Sequence, residues 1–390
     1  MATIQAFLDE LRTPATKSTY RAGIYSFLDW KYGRVRADRK VSPKEGRRYE
    51  ELAARYLKAR GNYAEDLRKY AASMQNLPPK TAGIRMTGIK EFFVFNNLDL
   101  SEKDLRQIRK RMPQGGARTI EKDLDHNALQ TILMHADIKE KALILSLASS
   151  GMRIGEVLQL RISDVNLDAE PAIVMIRQEI TKTRRQRITF LSREAVAALK
   201  EWLKIRPAYL ESAKNRNAGL IKWGIGGPKS KEDLRIFPFA GHVAQAAWRT
   251  TVGNAGLSSY DESTGRHQLH YHQLRKFFRS QLALACPADI VEALMGHEGY
   301  LTQAYRRYTR EQMAEFYQKA EGLVTIHVST KDISRLETEV KKEMRNQQEV
   351  IAALSVQNQQ MRSELKEYQE RQNAILQKFI KDPNGKWWKD

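Results

Sequence analysis

The sequence predicts a mainly α-helical protein of the α+β class. A basic helical domain precedes a domain with one small β-hairpin, and a long C-terminal helix follows. Along most of the 390 residues, apolar side chains recur every three or four positions, the spacing of one helix face. Residues 172–176 and 187–191 are apolar and flank a polar, basic turn, which predicts a hairpin. Residues 330–380 contain neither proline nor glycine, which favours one uninterrupted helix.

The composition excludes several classes of protein. With 42 % hydrophobic residues the chain is too apolar to stay disordered, and no run of 18 apolar residues predicts a membrane span. The N-terminus carries acidic residues where a signal peptide would be basic. The single cysteine, Cys286, excludes a disulfide framework and a cysteine-based zinc site. We therefore expect a cytoplasmic protein with no membrane partner.

The charge points to a polyanionic partner. Sixty-six lysines and arginines against 46 acids give a net charge of +20, of which residues 1–112 contribute +11. Such an excess favours nucleic acid over a merely solvated basic surface. The densest basic stretch lies in the first domain, and its members are the candidate DNA contacts. They are Arg34, Arg36, Arg39, Lys40, Lys44, Arg47 and Arg48.

The first domain is predicted to cover 1–112. Two apolar stripes over 4–30 are broken by Thr13-Pro14, and Ser101 with Asp104 opens the last helix. Between them we expect helices at 47–60, 62–76 and 80–97. Residues 113–120 follow as a linker, because one proline and two glycines interrupt any helix there.

The second domain is predicted to cover 121–328. Around the hairpin the periodicity predicts helices at 193–205, 240–255, 271–285, 287–296 and 310–321. A glycine- and lysine-rich stretch, 214–235, is typical of a surface loop.

The long amphipathic helix is predicted at 329–380. On a heptad that starts at Ile333 its apolar stripe drifts, as a 3.6-residue period does. A coiled coil between protomers and a helix docked on its own protein or on a neighbour both remain open. The tail 381–390, with Trp387-Trp388, has no explanation.

Two sequence patches in the second domain place arginines near helix starts. Arg153 follows a glycine at a predicted helix start, and Glu156 lies three residues later on the same face, where it can hold the guanidinium. A surface ion pair is the alternative. His272 and Arg275 also share a helix face, and together they offer donors to one anionic group. A zinc site at His270 and His272 lacks further ligands at a suitable spacing.

Two further patches supply a mobile cation and phenols. Lys182 begins the basic hairpin turn, where a lysine can deliver a charge and a proton to a neighbouring site or contact a phosphate. Gly296-His297 has the form of a helix C-cap followed by a turn. Tyr305 and Tyr308 follow, and Arg306 and Arg307 between them would favour a phenolate nucleophile, with buried core tyrosines as the alternative.

In this order the motifs resemble the tyrosine recombinases, the phage and archaeal-virus integrases and their bacterial relatives. Gly-x-Arg-x-x-Glu, a hairpin lysine, His-x-x-Arg, Gly-His and then tyrosine cover 121–322. Residues 1–112 resemble the core-binding domain that precedes the catalytic domain in this family. The tyrosine segment is most similar to archaeal-type integrases.

The resemblance implies a role for each candidate residue. Arg153, His272, Arg275 and His297 would bind the scissile phosphate, with Glu156 in support. Lys182 would protonate the leaving 5′-hydroxyl, with Arg184 and Arg185 as fallback choices and as DNA contacts. Tyr305 would be the nucleophile, with Tyr308 as the fallback.

The resemblance also implies a function. It predicts a site-specific recombinase that cuts and rejoins double-stranded DNA through a 3′-phosphotyrosyl link, without metal, ATP or other cofactor, to integrate or excise a mobile element. It implies a homo-tetramer on paired sites, with the free protein a monomer or dimer, associated with the nucleoid when DNA-bound. Type IB topoisomerases and telomere resolvases share these residues, and a catalytically silent DNA-binding protein of the same fold is a further alternative.

Overall fold

The computed structural model describes residues 3–38, 40–59, 61–116, 118–222, 230–262, 264–297, 308–326, 357, 359–366 and 368–374, with the side chains of 216–222 excepted. Two compact units are present. The first is 1–122 together with 259–268, and the second comprises 123–258 and the residues from 269 onward. The described residues are mostly helical, with a three-stranded sheet and a two-stranded hairpin, which confirms the predicted class.

Six helices with well-defined starts form the first unit. They are α1 Ile4–Asp9, α2 Pro14–Tyr32, α3 Pro43–Lys58, α4 Tyr63–Ser73, α5 Pro79–Phe95 and α6 Glu102–Lys110. The side chains of Thr3, Thr13, Ser42, Asn62 and Ser101 accept hydrogen bonds from backbone N–H groups of the first turns. Such caps satisfy donors that a helix leaves free at its start.

The core of the first unit is aromatic. Phe27 lies among the rings of Tyr56, Tyr70 and Phe93, all buried. Helices α2 and α5 approach closely at Gly88, where a Cβ atom would lie 2.9 Å from Tyr20 Cα. Aromatic pairs of this kind add to the free energy gained by burial.

The segment predicted as a linker is tied down by hydrogen bonds within the first unit. The Arg118 guanidinium donates to the carbonyls of Gln75 and Asn76 at 3.2 and 3.0 Å. The backbone N–H of Ile120 donates to Asp261 at 3.0 Å, in a two-stranded hairpin formed by 260–261 and 266–267. The last residues of the predicted linker therefore have hydrogen-bond partners that are distant in the sequence.

The second unit surrounds a three-stranded antiparallel sheet of order β1-β2-β3. Its elements are α7 His126–Met134, α8 Ile138–Ser150, α9 Ile154–Val157, β1 Val165–Asn166, β2 Ala172–Ile176, β3 Arg187–Leu191, α10 Arg193–Lys222, α11 Gly241–Asn254, α12 His272–Leu282, α13 Ala288–Met295 and α14 Arg310–Val324. The predicted strands pair as expected, with Val174 opposite Thr189.

Helix α10 corrects one prediction. It runs on to Lys222, so the first part of the loop expected at 214–235 is helical, and 223–229 lie outside the described residues. Pro207 lies inside the helix, although proline removes a backbone hydrogen bond. The helix continues through Pro207 because four side chains at helical spacing are buried in the core. They are Trp202, Arg206, Leu210 and Ala213.

Helix α8 is the centre of the second unit, and its C-terminus organises three other elements. Residues 142–150 are all buried. The last carbonyls of a helix have no partner within it, and here side chains supply the donors. Tyr317 of α14 donates to Ser149 O at 2.8 Å, Thr189 of β3 donates to Ser150 O at 2.8 Å, and Arg275 of α12 donates to Gly151 O.

Little of the predicted C-terminal helix lies within the described residues. Residues 359–366 and 368–374 are helical, and the apolar side chains of Met361, Leu365 and Tyr368 are exposed on this helix. The tail with Trp387-Trp388 lies outside the described residues. Among the helices that the structure describes, none is long and apolar enough to cross a bilayer.

Gly151 tests the importance of the α8 terminus. It has φ +63°, and a Cβ atom there would lie 2.3 Å from Cδ1 of the buried Phe278. Gly151→Ala is expected to lower the free energy of unfolding by about 3 kcal/mol, since strained backbone and overpacking add. Urea unfolding measures the loss. Gly253→Ala is the control, because none of the described residues lies within 4 Å of its added methyl group. Equal effects of the two substitutions would contradict the prediction.

Candidate active site

Arg153 is fixed at the start of α9 by Glu156. The backbone N–H of Arg153 donates to Glu156 Oε2 at 2.8 Å, and its Nη1 donates to Oε1 at 3.0 Å. The carboxylate therefore caps the helix and holds the guanidinium at the same time. Glu156 is 2 % exposed, whereas the Arg153 side chain is 27 % exposed. The pair is thus buried at its acidic end and open to solvent at its basic end.

A second arginine, Arg187, completes this cluster. At the start of β3 it forms a bidentate pair with Glu156, Nη1 to Oε1 at 3.1 Å and Nη2 to Oε2 at 2.6 Å. Its Nε donates to the carbonyl of Leu294 at 3.1 Å. Nothing in the local sequence marks Arg187, since a cation at the end of a basic turn resembles its exposed neighbours.

The charge balance at Glu156 follows from these contacts. Burial alone would raise the pKa of the Glu156 carboxyl, but the hydrogen bonds and charges of Arg187 and Arg153 lower it below its usual value. The carboxylate is therefore ionised at neutral pH, and it compensates positive charge inside the protein.

Arg275 is the most deeply buried cation of the site, at 2 % exposure. Its Nη1 donates to Gly151 O, and its Nη2 donates to Met295 O at 2.6 Å. Its Nε is buried and has no hydrogen-bond partner among the described residues. Burial, with the nearby charge of Arg153, lowers the pKa of Arg275 to about 9. The group remains a cation at neutral pH, and its Nε is a buried donor that no described residue satisfies.

His297 touches Arg275 and a carboxylate. Its Nε2 lies 2.8 Å from Arg275 Nη2, and its Nδ1 lies 2.9 Å from Glu292 Oε2. Burial and the charge of Arg275 lower the pKa of His297, although Glu292 opposes the shift. Gly296 provides the C-cap of α13 at φ +71°, and a Cβ atom there would lie 2.8 Å from Arg187 Cδ.

The remaining predicted residues are exposed, half-buried or outside the described part of the chain. His272 is exposed at the start of α12, one turn before Arg275. Lys182 is exposed in the hairpin turn, as are Arg184 and Arg185. Tyr305 lies outside the described residues.

Tyr308, the fallback nucleophile, is described. It is half-buried and packs against the apolar cluster that contains Tyr317 and Leu323 of α14. This packing is expected of a tyrosine that belongs to the hydrophobic core, which is the alternative to a nucleophile.

The candidate DNA contacts of the first unit differ in their freedom. Arg34 donates to the carbonyls of Arg36 and Ala37, at 3.0 and 3.3 Å, and so shapes its own loop. Half-buried Arg36 lies 3.6 Å from Asp29. Arg48 pairs with Glu51 at 2.9 Å on the surface. Lys40, Lys44 and Arg47 are exposed, and Arg39 lies outside the described residues.

The arrangement is suited to an anion. Among the described residues, no group of three or more histidines, cysteines and carboxylates is placed to hold a metal ion. Instead, Arg153, Arg275 and His297 converge, and preorganised donors of this type stabilise charge that develops on a bound oxyanion. Glu156, Arg187 and Glu292 hold them.

Several known proteins are similar in sequence to this chain. Residues 122–315 match the phage integrase family. Tyrosine recombinase XerC of Haemophilus ducreyi is 25 % identical over 252 residues, covering 62 % of this chain and 73 % of its own. Tyrosine recombinase XerA of Pyrococcus horikoshii is 25 % identical over 268 residues, covering 67 % and 79 %.

Among solved structures, the chain matches XerH site-specific recombinase bound to difH substrate, with 16 % identity, a TM-score of 0.42 and coverage of 79 % of this chain and 96 % of that one. A lambda integrase dimer bound to a COC′ core site has 13 % identity, a TM-score of 0.46 and coverage of 79 % and 100 %. Through residues 122–315 the chain belongs to the phage integrase family, the tyrosine recombinases, and the resemblance in its sequence is confirmed.

Glu156→Gln tests the buried ion pairs. At pH 7 the variant is expected to lose about 3 kcal/mol of unfolding free energy, because removing one partner leaves buried charge uncompensated. The folded state lowers the pKa of Glu156, so its contribution is present above the unfolded pKa of about 4.3 and is lost as the pH falls through the lower folded value. Urea unfolding across this range should show the difference shrinking in acid.

Glu201→Gln is the control for this measurement. Glu201 forms an exposed pair with Lys204 on α10, and such pairs contribute little. A loss at Glu156 that stays constant from neutral to acidic pH would contradict the assigned role of the carboxylate.

Proposed function

We propose that the chain is a site-specific DNA recombinase that integrates or excises a mobile element by cutting and rejoining DNA strands through a 3′-phosphotyrosyl intermediate. The observation that carries the proposal is the convergence of Arg153, Arg275 and His297, with the free Nε of Arg275, in a domain of the tyrosine recombinase family. DNA as the substrate places this activity in the cytoplasm, at the nucleoid.

The arginines and histidines stabilise the transition state. Attack on a phosphodiester adds charge to its non-bridging oxygens, and Arg153, His272, Arg275 and His297 donate hydrogen bonds to them. Removal of one preorganised donor lowers the rate on the order of 10²–10³-fold in enzymes that use such groups. Arg275 contributes strongly because its charge is already desolvated at 2 % exposure.

The covalent step balances without an outside energy source. The Tyr305 oxygen bonds to phosphorus and its proton leaves to a base, while the bond from phosphorus to the 5′-oxygen breaks. Lys182 gives that oxygen a proton. Attack of a different 5′-hydroxyl on the phosphotyrosine reverses these changes and joins the new strand.

Two other functions are alternatives to a recombinase. A type IB topoisomerase or telomere resolvase uses the same groups, but the relatives reported above carry recombinase names. A silent DNA-binding protein of this fold would keep the basic surface without the chemistry. Covalent trapping separates this last rival from any enzyme.

Trapping also identifies the nucleophile. In EDTA, the full chain is incubated with a nicked suicide duplex of its element's site and run on a denaturing gel. We expect a protein–DNA adduct with the wild type and with Tyr308→Phe. Tyr305→Phe should form none, because phenylalanine lacks the attacking oxygen, and should bind DNA as tightly as the wild type.

Other outcomes have equally definite meanings. An adduct lost only in Tyr308→Phe transfers the role to Tyr308. Tight binding of the correct site without any adduct overturns the enzymatic proposal and leaves the silent DNA-binding protein. Relaxation of supercoiled plasmid without strand exchange between two sites would identify the topoisomerase.

DNA binding draws on the basic residues of both units. In the first unit Lys40, Lys44, Arg47 and Arg48 are exposed and contact phosphates, while Arg34 and Arg36 shape the loop that precedes α3. Arg39 belongs to the same stretch. In the second unit Arg184 and Arg185 in the hairpin turn add further contacts. Such phosphate contacts make the affinity strongly dependent on salt.

Assembly uses the C-terminal helix. The protein is a monomer or dimer when free, and it forms a homo-tetramer on paired sites. Met361, Leu365 and Tyr368 are exposed by 51, 60 and 63 % and recur at spacings of four and three, which is the stripe that a coiled coil buries. The partner is a second copy of the same helix.

A pair of double variants tests this assembly. Replacing Met361 and Leu365 by glutamine keeps helix propensity but removes the apolar stripe, so the complex on paired sites should fall below the tetramer mass. Replacing Arg362 and Lys366 by glutamine is the control and should leave the mass unchanged. Light scattering of the DNA complexes measures both, and tetramers in both variants would contradict the coiled coil.

A further inference from the structure

The carboxylate of Glu292 connects two charged or titratable side chains, those of His297 and Arg279. It lies on α13, 24 % exposed, and its two carboxylate oxygens have separate partners. Oε2 lies 2.9 Å from His297 Nδ1, and Oε1 accepts from Arg279 Nε at 2.6 Å. The backbone N–H of His297 also donates to the carbonyl of Glu292 at 2.9 Å, so the imidazole is held at two points.

These contacts decide which ring nitrogen of His297 carries the proton. A carboxylate only accepts hydrogen bonds, so Nδ1 must bear a proton to face Glu292. A guanidinium only donates, so Nε2 must present its lone pair to Arg275. Both contacts are satisfied by the neutral imidazole with its proton on Nδ1, and the opposite tautomer would satisfy neither.

We propose that Glu292 is a positioning residue that makes phosphate binding by His297 depend on the uptake of a proton. This inference rests on the proposed function. A neutral ring with its proton on Nδ1 has no donor for a phosphate oxygen at Nε2. The tautomer with its proton on Nε2 would set two acceptors, Nδ1 and the Glu292 carboxylate, against each other. His297 therefore donates to the phosphate only as an imidazolium, whose charge Glu292 balances.

The charged groups around His297 set the direction of its titration. Arg275 and Arg279 lie on α12, Glu292 on α13 and Arg153 at the start of α9, while Arg187 on β3 contacts Leu294 O two residues before Gly296. Without DNA, burial and Arg275 keep the pKa of His297 low. A bound phosphate is an opposite charge and raises it. The carboxylate acts in the same direction, and its removal lowers the pKa again.

The tautomer can be observed directly in the DNA-free protein. Nitrogen-15 spectra of the full chain labelled at its eight histidines distinguish the two ring nitrogens, and His297→Gln assigns the signal. The wild type should show the proton of His297 on Nδ1 at mildly alkaline pH. Glu292→Ala should show a mixture or the opposite tautomer. A wild-type proton on Nε2 overturns the inference whether or not the protein cuts DNA.

The rate of adduct formation tests the functional part. Single-turnover trapping on the suicide duplex is followed from about pH 5.5 to about pH 9. Glu292→Gln should move the alkaline fall in rate about one unit lower, a tenfold loss at alkaline pH that acid restores. Glu292→Asp keeps the charge and should retain most of the wild-type profile. Glu201→Gln is the surface control and should match the wild type.

The outcomes separate a positioning role from a structural one. Equal rate losses at every pH, with a lower unfolding temperature, would mean that Glu292 only supports the fold, and they would overturn the inference. An unchanged profile in Glu292→Gln would overturn it as well. If the wild type forms no adduct at any pH, the proposed function fails, whereas the tautomer measurement still judges the pairing of Glu292 with His297.

Discussion

One buried carboxylate allows the rest of the site to exist. Arg153, Arg187 and Arg275 bring three guanidinium charges into one part of the second unit, and the first two also lower the pKa of the third. Glu156 neutralises part of this charge through four hydrogen bonds, two to each of its neighbouring arginines. Glu156 links α9 to β3, and Arg187 links β3 to the end of α13. The contacts that balance the charge therefore also hold these three elements together.

The end of α8 performs the complementary task for the backbone. Its final carbonyls would be unsatisfied inside the core, a cost comparable to that of a lost hydrogen bond. They accept from Tyr317, Thr189 and Arg275 instead, so α14, β3 and α12 are all fixed at the place where the chain turns towards Arg153. One donor of Arg275 thus stabilises the fold, whereas its Nε has no partner among the residues that the structure describes.

Much of this could be predicted from the sequence, and the misses have physical reasons. Helical periodicity predicted the elements around Arg153 and Arg275, because local spacing determines which residues share a face. Arg187 and Glu292 cannot be distinguished in the sequence from ordinary exposed charged residues. The partner of Arg187 lies 31 residues away and that of Glu292 five residues away, so neither pair follows from the spacing of one helix face. The length of α10 was missed because burial of Trp202 and Arg206 outweighs the cost of Pro207.

The geometry also favours binding of an anion before any chemistry, as the proposed function requires. Burying Arg275 costs free energy, which the pKa of about 9 reflects, and folding has already supplied it. A phosphate that reaches the free Nε therefore gains the attraction of a dehydrated cation without paying again to dehydrate it. The same reasoning makes His297 responsive, since the charge that keeps it neutral in the free protein is compensated when an anion binds beside Arg275.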